Sequence, residues 1–462
     1  MLKKYKKLPK NCKLFDLSVI STYAIGMNET LRLIIAQQQL NLRSQFSIVY
    51  RDTQILPVPR KATVIIGIRR SGKSTWQHEK MEALLNDGVP TENICYIDFS
   101  DDRLDFLRTE ESDPAVITDT YYGMYPGKHE QKVYFFFDEL QYVNRWAQFI
   151  NRIQTTENCE VYITGSSAKL LSKEIATELG GRTFAWEMFP FSFREFLRAS
   201  GKPESISDIA SRDEIIGAFG EYVTKGGMPE RHILPRETMA VLYFQNLVND
   251  VLTRDIMLRY NIKHPVQLKR LVQMLMNNFS RLITVNKLKQ RLAGERNKLS
   301  PELISDYINK IIDCYLMFTV PIRSYNKAVQ AVNPKKVYCV DHVMAQAFSR
   351  ATSGNNGFAL ENMVFVELRR TMENVFYYKT VHGDEIDFAV GPDSDIRLIQ
   401  VCWELGKQEK TREREIGALL DGMEELEIQE SWLITAYEEE EIKDKKTGRT
   451  IHVVPAYKWL LQ

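Results

Sequence analysis

Residues 64–75 read Val-Ile-Ile-Gly-Ile-Arg-Arg-Ser-Gly-Lys-Ser-Thr, an apolar β-branched run leading into Gly67-x-x-x-x-Gly72-Lys73-Ser74. This spacing predicts a strand, a phosphate-binding loop and a helix in succession. The two glycines let backbone N–H groups turn inward around an anion, and a helix opening at Thr75 aims its positive end at the same point. Gly67, Arg70, Ser71, Gly72, Lys73, Ser74 and Thr75 are therefore the candidate nucleotide contacts. Lys73 is expected on the β- and γ-phosphates and the Ser74 hydroxyl on Mg²⁺. Arg69 and Arg70 could face either the nucleotide or a partner.

Such a loop commits the surrounding chain to an α/β sheet. Short unbroken apolar runs at 64–66, 94–98, 133–137 and 161–164, separated by helical stretches, suit a parallel sheet covered on both faces. At 462 residues the chain has room for about three domains. Its net charge of +1 makes any nucleic-acid surface a local feature rather than a global one. No apolar stretch approaches the ~20 residues that span a bilayer, and the Lys-rich start lacks the apolar run of a secretory signal. Six scattered cysteines without a Cys-x-x-Cys pair point to reduced thiols, and a cytoplasmic location with no membrane partner is expected.

The pattern divides into a helical lead-in (1–55), a P-loop ATPase core (56–200) and a helical connector (201–264). A stretch at 265–330 follows, with three helical segments and an apolar strand at 316–322 that enters a hairpin near Tyr325. Three helices and a β-wing form the winged-helix pattern. The remainder, 331–462, is α+β.

A second signature reinforces the first. The apolar run 133–137 ends in Asp138-Glu139, placing one carboxylate for Mg²⁺ and a second beside the γ-phosphate, where it can orient and deprotonate water. The strand at 161–164 should lie between the two motif strands, which makes Ser166 and Ser167 candidate γ-phosphate sensors. Arg182 is a candidate γ-phosphate contact, in cis or across a subunit boundary. The guanine-reading Asn-Lys-x-Asp tetrapeptide is absent, since Asn286-Lys287-Leu288-Lys289 lacks the acid, so ATP is the expected nucleotide.

Together with Phe137-Asp138-Glu139-Leu140-Gln141, Ile163-Thr164-Gly165-Ser166-Ser167, Gly181-Arg182, the 190–196 stretch Pro-Phe-Ser-Phe-Arg-Glu-Phe and Gly226-Gly227-Met228-Pro229-Glu230, the phosphate loop resembles that of prokaryotic AAA-type ATPases. The resemblance covers most of the chain from about residue 55. It implies a P-loop core with an additional strand and a catalytic glutamate, a middle winged helix, and a C-terminal domain of restriction-endonuclease-like fold.

That last fold places acidic residues and a lysine around Mg²⁺ for phosphodiester cleavage. Here Glu361 and Asp387 occupy the acidic positions and Gln400 the first position of the fold's Glu/Gln-x-Lys triplet, but Cys402 stands where the lysine belongs; Lys379 or Lys407 could migrate into its place. A neutral thiol cannot stabilise a pentacovalent phosphate, so a vestigial site that serves binding or assembly is expected. Lys269, Arg270, Arg281, Lys287, Lys289, Arg291, Arg296, Lys298, Lys310 and Arg323 give the middle region a local basic excess, a candidate DNA or RNA contact. The sequence thus predicts an ATP- and Mg²⁺-dependent ATPase whose nucleotide state drives the winged-helix and C-terminal units. A regulatory scaffold with little turnover and a nucleotide-gated nuclease are the alternatives. A protein partner or homo-oligomer remains open in each.

Overall fold

The structure, a computed structural model, describes residues 29–40, 49–166, 179–234, 236–292, 299–348, 356–406 and 409–462. Its first sheet is built from β1 (Ala62–Ile66), β2 (Ile94–Asp98), β3 (Val133–Asp138), β4 (Cys159–Gly165) and β5 (Thr183–Glu187). All five run parallel in the order β2-β3-β4-β1-β5, so β4 separates the two motif strands as expected. Alternate strand residues face opposite layers. Phe135 and Phe137 pack with Phe149 and Ile150 of helix Trp146–Thr156 on one face. Ile65, Phe136 and Tyr162 pack with Trp76, Met81 and Leu84 of helix Lys73–Asn86 on the other. Of the lead-in, the helix over 29–40 buries Leu31, Ile34 and Ile35, the one-face spacing of an amphipathic helix.

The next region is helical, with Phe193–Ala199, Ile209–Lys225 and Glu237–Asp250. The last of these runs without a break into a π-helical segment, Val251–Leu258. Helices Pro265–Asn277, Val285–Leu292 and Pro301–Asp313 then pack beside a small antiparallel sheet of β6 (Arg281–Ile283), β7 (Met317–Val320) and β8 (Lys335–Cys339), ordered β6-β8-β7. Ser300 caps the third helix through the Leu303 N–H, with Pro301 at its first position. The hairpin does not return near Tyr325: helix Lys327–Val332 intervenes, and β8 is the strand that pairs with β7. A boundary at 330 would therefore cut this sheet. The Gly227 N–H, from the Gly-Gly-Met-Pro turn, donates to the Asp341 carboxylate just past β8 and ties the connector to it.

Helix Asn356–Thr371 precedes a second mixed sheet made of β9 (Val375–Lys379), β10 (Glu385–Val390), β11 (Arg397–Cys402), β12 (Glu430–Thr435), β13 (Glu440–Lys443) and β14 (Thr450–Pro455). Its order is β13-β14-β12-β11-β10-β9, with helix Glu409–Glu425 crossing over between the parallel strands β11 and β12. Phe189, Phe318 and Phe365, with successive ring centroids 6.1 and 5.6 Å apart, carry one apolar core from the first sheet through the small sheet to helix Asn356–Thr371.

Candidate active site

The phosphate loop leaves the C-terminal edge of β1. Gly67 and Gly72 have φ of +154° and +101°, and a Cβ at Gly67 would lie 2.2 Å from the Met188 carbonyl oxygen. Only glycine fits there. Lys73 Nζ donates to the Gly67 and Ile68 carbonyls at 3.0 and 2.8 Å, so its ammonium sits inside the loop. Burial lowers its pKa, against the opposing charges of Glu139 and Asp138. Among the described residues, no hydrogen-bond partner reaches the buried Ser71 Oγ. Ser74 and Thr75 are exposed at the open mouth of helix Lys73–Asn86. These residues fit a triphosphate: free N–H groups at a helix start, an ammonium within reach, and an orphaned hydroxyl.

Asp138 ends β3 and is buried. Tyr96 Oη donates to its Oδ2 at 3.1 Å, Thr164 Oγ1 donates to its Oδ1, and Ser74 hydrogen-bonds it from the loop. Burial pushes its carboxyl upward while Ser74 and Thr164 pull it down. Ser74 and Asp138 are thus already paired, an oxygen donor set that suits Mg²⁺. Glu139 follows in the left-handed region at φ 54°, which turns its side chain back toward Lys73. Burial raises its pKa, against Lys73, and the Gln141 amide donates to its carboxylate.

Thr164 joins the two acids, because its hydroxyl also accepts the Glu139 N–H at 3.1 Å. The sequence reading passed over it in favour of the serines that follow. The available signal was a threonine closing an apolar strand that pairs with both β1 and β3. A Thr164→Val variant should lose both hydrogen bonds and lower kcat/KM for ATP by about 10- to 100-fold. Wild-type kinetics would remove Thr164 from the site.

Ser166 lies one step past β4 but faces elsewhere. Its hydroxyl donates to Asp255 Oδ1 at 3.0 Å, on the π-helical segment. Arg69 makes a two-pronged pair with the same carboxylate, at 2.5 and 2.9 Å, and donates to Tyr142 Oη at 2.8 Å. Arg259 approaches it at 3.4 Å. Asp255 is 1% exposed, a buried acid that joins the phosphate loop, the end of β4 and the connector. Arg70 pairs with Glu230 at 2.5 Å in solvent, so both loop arginines face the connector rather than a nucleotide. Ser167 lies outside the described residues.

Arg182 is displaced from its expected role in cis. The register pairs Ala62 with Thr183 and Ile66 with Glu187, so Arg182 precedes β5 at the N-terminal edge of the sheet. The loop is at the other edge, a strand length of about 16 Å away. The Arg182 side chain hydrogen-bonds Asn151 and Thr155 instead.

Arg51, ahead of β1, steadies the loop from behind. It donates to the Ser71 carbonyl at 2.7 Å and the Phe189 carbonyl at 2.6 Å, and pairs with Glu195 at 3.0 Å. Glu195 closes a capping box with Ser192. Burial raises its carboxyl, but Arg51 and then Arg370 outweigh that and hold it below the usual range. Arg370, on helix Asn356–Thr371, also donates to the Pro190 carbonyl at 2.5 Å.

Glu361 and Asp387 meet at a second place, beside a cavity of about 630 Å³. Glu361 sits in the second turn of its helix rather than opening it. The cation between them is Lys336 from β8, which no motif marked. Gln400 lines the cavity but turns aside, accepting the Asp387 N–H at 3.0 Å and donating to Glu415. Lys379 is exposed at the end of β9, and Lys407 lies outside the described residues.

Residues 59–197 match the AAA domain family, residues 216–355 a domain of unknown function (DUF8612), and residues 356–459 another (DUF4143). An uncharacterized protein of Methanocaldococcus jannaschii is 31% identical over 433 residues, covering 91% of this chain and 93% of its own. One from Haemophilus influenzae is 28% identical over 421 residues, covering 90% and 96%. Among solved structures, the Walker-type ATPase PABY2304 of Pyrococcus abyssi is similar at 16% identity and TM-score 0.38, covering 62% of this chain and 90% of its own. The Aeropyrum pernix ORC1 protein in complex with DNA is similar at 13% identity and TM-score 0.31, covering 71% and 92%.

Proposed function

The chain belongs to the family of AAA-domain proteins in which a phosphate-loop ATPase unit is followed by two domains of unknown function, and from that premise we propose that it binds and hydrolyses ATP and passes the nucleotide state to the units downstream. The observation that carries the reading is the convergence of Lys73, Ser74, Asp138, Thr164 and Glu139 at one sheet edge. Mg²⁺, when held by Ser74 and Asp138, supplies positive charge to the phosphates. Lys73 binds the β- and γ-phosphates. Glu139 accepts a proton from water as the water oxygen attacks the γ-phosphorus and the bond to the β–γ bridging oxygen breaks, releasing ADP and phosphate; Gln141 and the Thr164 hydroxyl fix the position of Glu139. A carboxyl raised by burial is a better base for this step than an ordinary one.

Transmission uses the adjoining arginine. Arg69 belongs to the phosphate loop and Ser166 follows β4; both side chains turn toward the connector, where they hold Asp255. A change at the γ-phosphate therefore bears on the segment Val251–Leu258, whose π-helical turn marks a local departure from regular helix. Phosphate release by the full chain and by Lys73→Ala, with Mg²⁺ and with or without DNA or RNA, tests the reading. Turnover in the wild type that Lys73→Ala abolishes is expected. Equal, negligible rates would leave only an ATP-liganded scaffold.

We read helices Pro265–Asn277, Val285–Leu292 and Pro301–Asp313 with β6–β8 as a winged helix, and the unit from 356 onward as restriction-endonuclease-like. Nucleic acid is a second reading for the former. Lys269, Arg270, Lys287, Lys289 and Arg291 are exposed on the first two helices. The third, which would enter a DNA groove, carries Glu302, Asp306 and Asp313 against Lys310, itself paired with Asp306. Backbone contact that weakens steeply with salt suits this distribution better than base reading. Nucleic acid that neither stimulates turnover nor binds at low salt removes it.

A further inference from the structure

Mg²⁺ does not fit the carboxylate cluster beside the C-terminal cavity. Lys336 Nζ lies 2.6 Å from Asp387, 2.7 Å from Glu385 and 2.9 Å from Glu361, so its three N–H donors are all engaged. Asp387 and Glu361 each take one further donor. The Val401 N–H donates to Asp387 Oδ2 at 2.9 Å, and Tyr338 Oη donates to Glu361 Oε1 at 2.7 Å. Gln400, the third residue a metal would require, points to Glu415 and to the Asp387 backbone. Among the described residues, no group of three or more His, Cys, Asp or Glu is arranged to hold a metal ion.

Lys336 cannot simply step aside. It is 2% exposed and lies in the central strand of the small sheet, paired with Leu282 of β6 and Val320 of β7. Moving its ammonium out would strand two buried acids, Glu361 and Asp387.

We propose that Lys336 is a tethered cation occupying the position a divalent metal would take, and that Glu361, Glu385 and Asp387 form an internal ion lock joining β8 to the C-terminal unit rather than a nuclease centre. Lys336 and Tyr338 stand two apart on one face of β8, so one strand presents both the ammonium and the hydroxyl to Glu361. The lock also accounts for Cys402. With the metal's place filled from β8, no lysine is needed at position 402 of β11 to stabilise a phosphate under attack.

The test is a Mn²⁺ titration of the nucleotide-free full chain, with free Mn²⁺ followed by electron paramagnetic resonance. Without nucleotide, its outcome is independent of whether ATP is hydrolysed. The wild type should bind no Mn²⁺ that Asp387→Asn or the more exposed Glu385→Gln removes. Lys336→Met should bind Mn²⁺ about tenfold or more tighter than the wild type, and adding Asp387→Asn should abolish the gain. A wild-type Mn²⁺ site lost in Asp387→Asn or Glu385→Gln overturns the proposal. So does a folded Lys336→Met that gains none. The comparison of wild type with Glu385→Gln decides the question even where Lys336→Met does not fold.

Discussion

Glu139→Gln should leave ATP bound and reduce its turnover by about 100- to 10,000-fold, the usual contribution of a positioned general base. Glutamine keeps the size and the capacity to hydrogen-bond but cannot take a proton. The groups proposed to hold triphosphate, Lys73, Ser74 and the loop N–H groups, are placed by contacts that do not include this side chain's hydrogen bonds. Lys73→Ala should instead lose nucleotide binding itself. The pair separates chemistry from affinity, measured as single-turnover phosphate release against binding of a fluorescent ATP analogue. A pH profile adds a further readout. Burial raises Glu139, so kcat should fall on the acid side with a midpoint above the ordinary 4.5, because the base acts only when ionised. That acid limb should be absent from the residual rate of Glu139→Gln. Turnover unchanged by the substitution would remove Glu139 from the mechanism.

Asp255→Ala should be among the most damaging single changes in the chain. The carboxylate is buried, pairs with Arg69 through two hydrogen bonds, and has Arg259 and Ser166 against it. Removing it takes from Arg69 and Arg259 the buried carboxylate they share. Breaking a buried ion pair from one side destabilises by about 3–5 kcal/mol. Hydrogen exchange across 251–259 should accelerate accordingly. Lys73 and Ser74 keep their partners, so ATP should still bind, while the response of the connector to nucleotide should be lost. Exchange rates in this segment equal to those of the wild type would show that Asp255 does not hold it.

The sequence was most readable where one physical demand dominates. Strands β1 to β4 are buried on both faces, so their residues form unbroken apolar runs, and the loop after β1 admits glycine at fixed positions. Strand β5 lies at the sheet edge with Phe184 exposed, and Thr183-Phe184-Ala185-Trp186-Glu187 shows no such run. Strand β6 is short, and β8 begins with two lysines, which reads as a polar turn. Long-range polar partners left still less trace. Asp255 is an isolated acid within an apolar helical stretch, and nothing local ties it to Arg69 across 186 positions. Lys336 stands among the acids Glu361, Glu385 and Asp387, where a metal would sit, but belongs to another sheet. Arg182 shows the converse. Its Gly-Gly-Arg context suggested a phosphate contact, and only the parallel register of β5 places it at the wrong edge.

In the proposed mechanism, the γ-phosphate state reaches the connector through Arg69, Ser166 and Asp255. Hydrogen exchange of residues 251–259 in Glu139→Gln, compared with Mg²⁺·ATP, with Mg²⁺·ADP and without nucleotide, tests it most directly. The account predicts that ATP alters protection of this segment, that ADP does not reproduce the ATP pattern, and that Asp255→Ala abolishes the difference. Identical exchange in all three states, with ATP demonstrably bound, would contradict it.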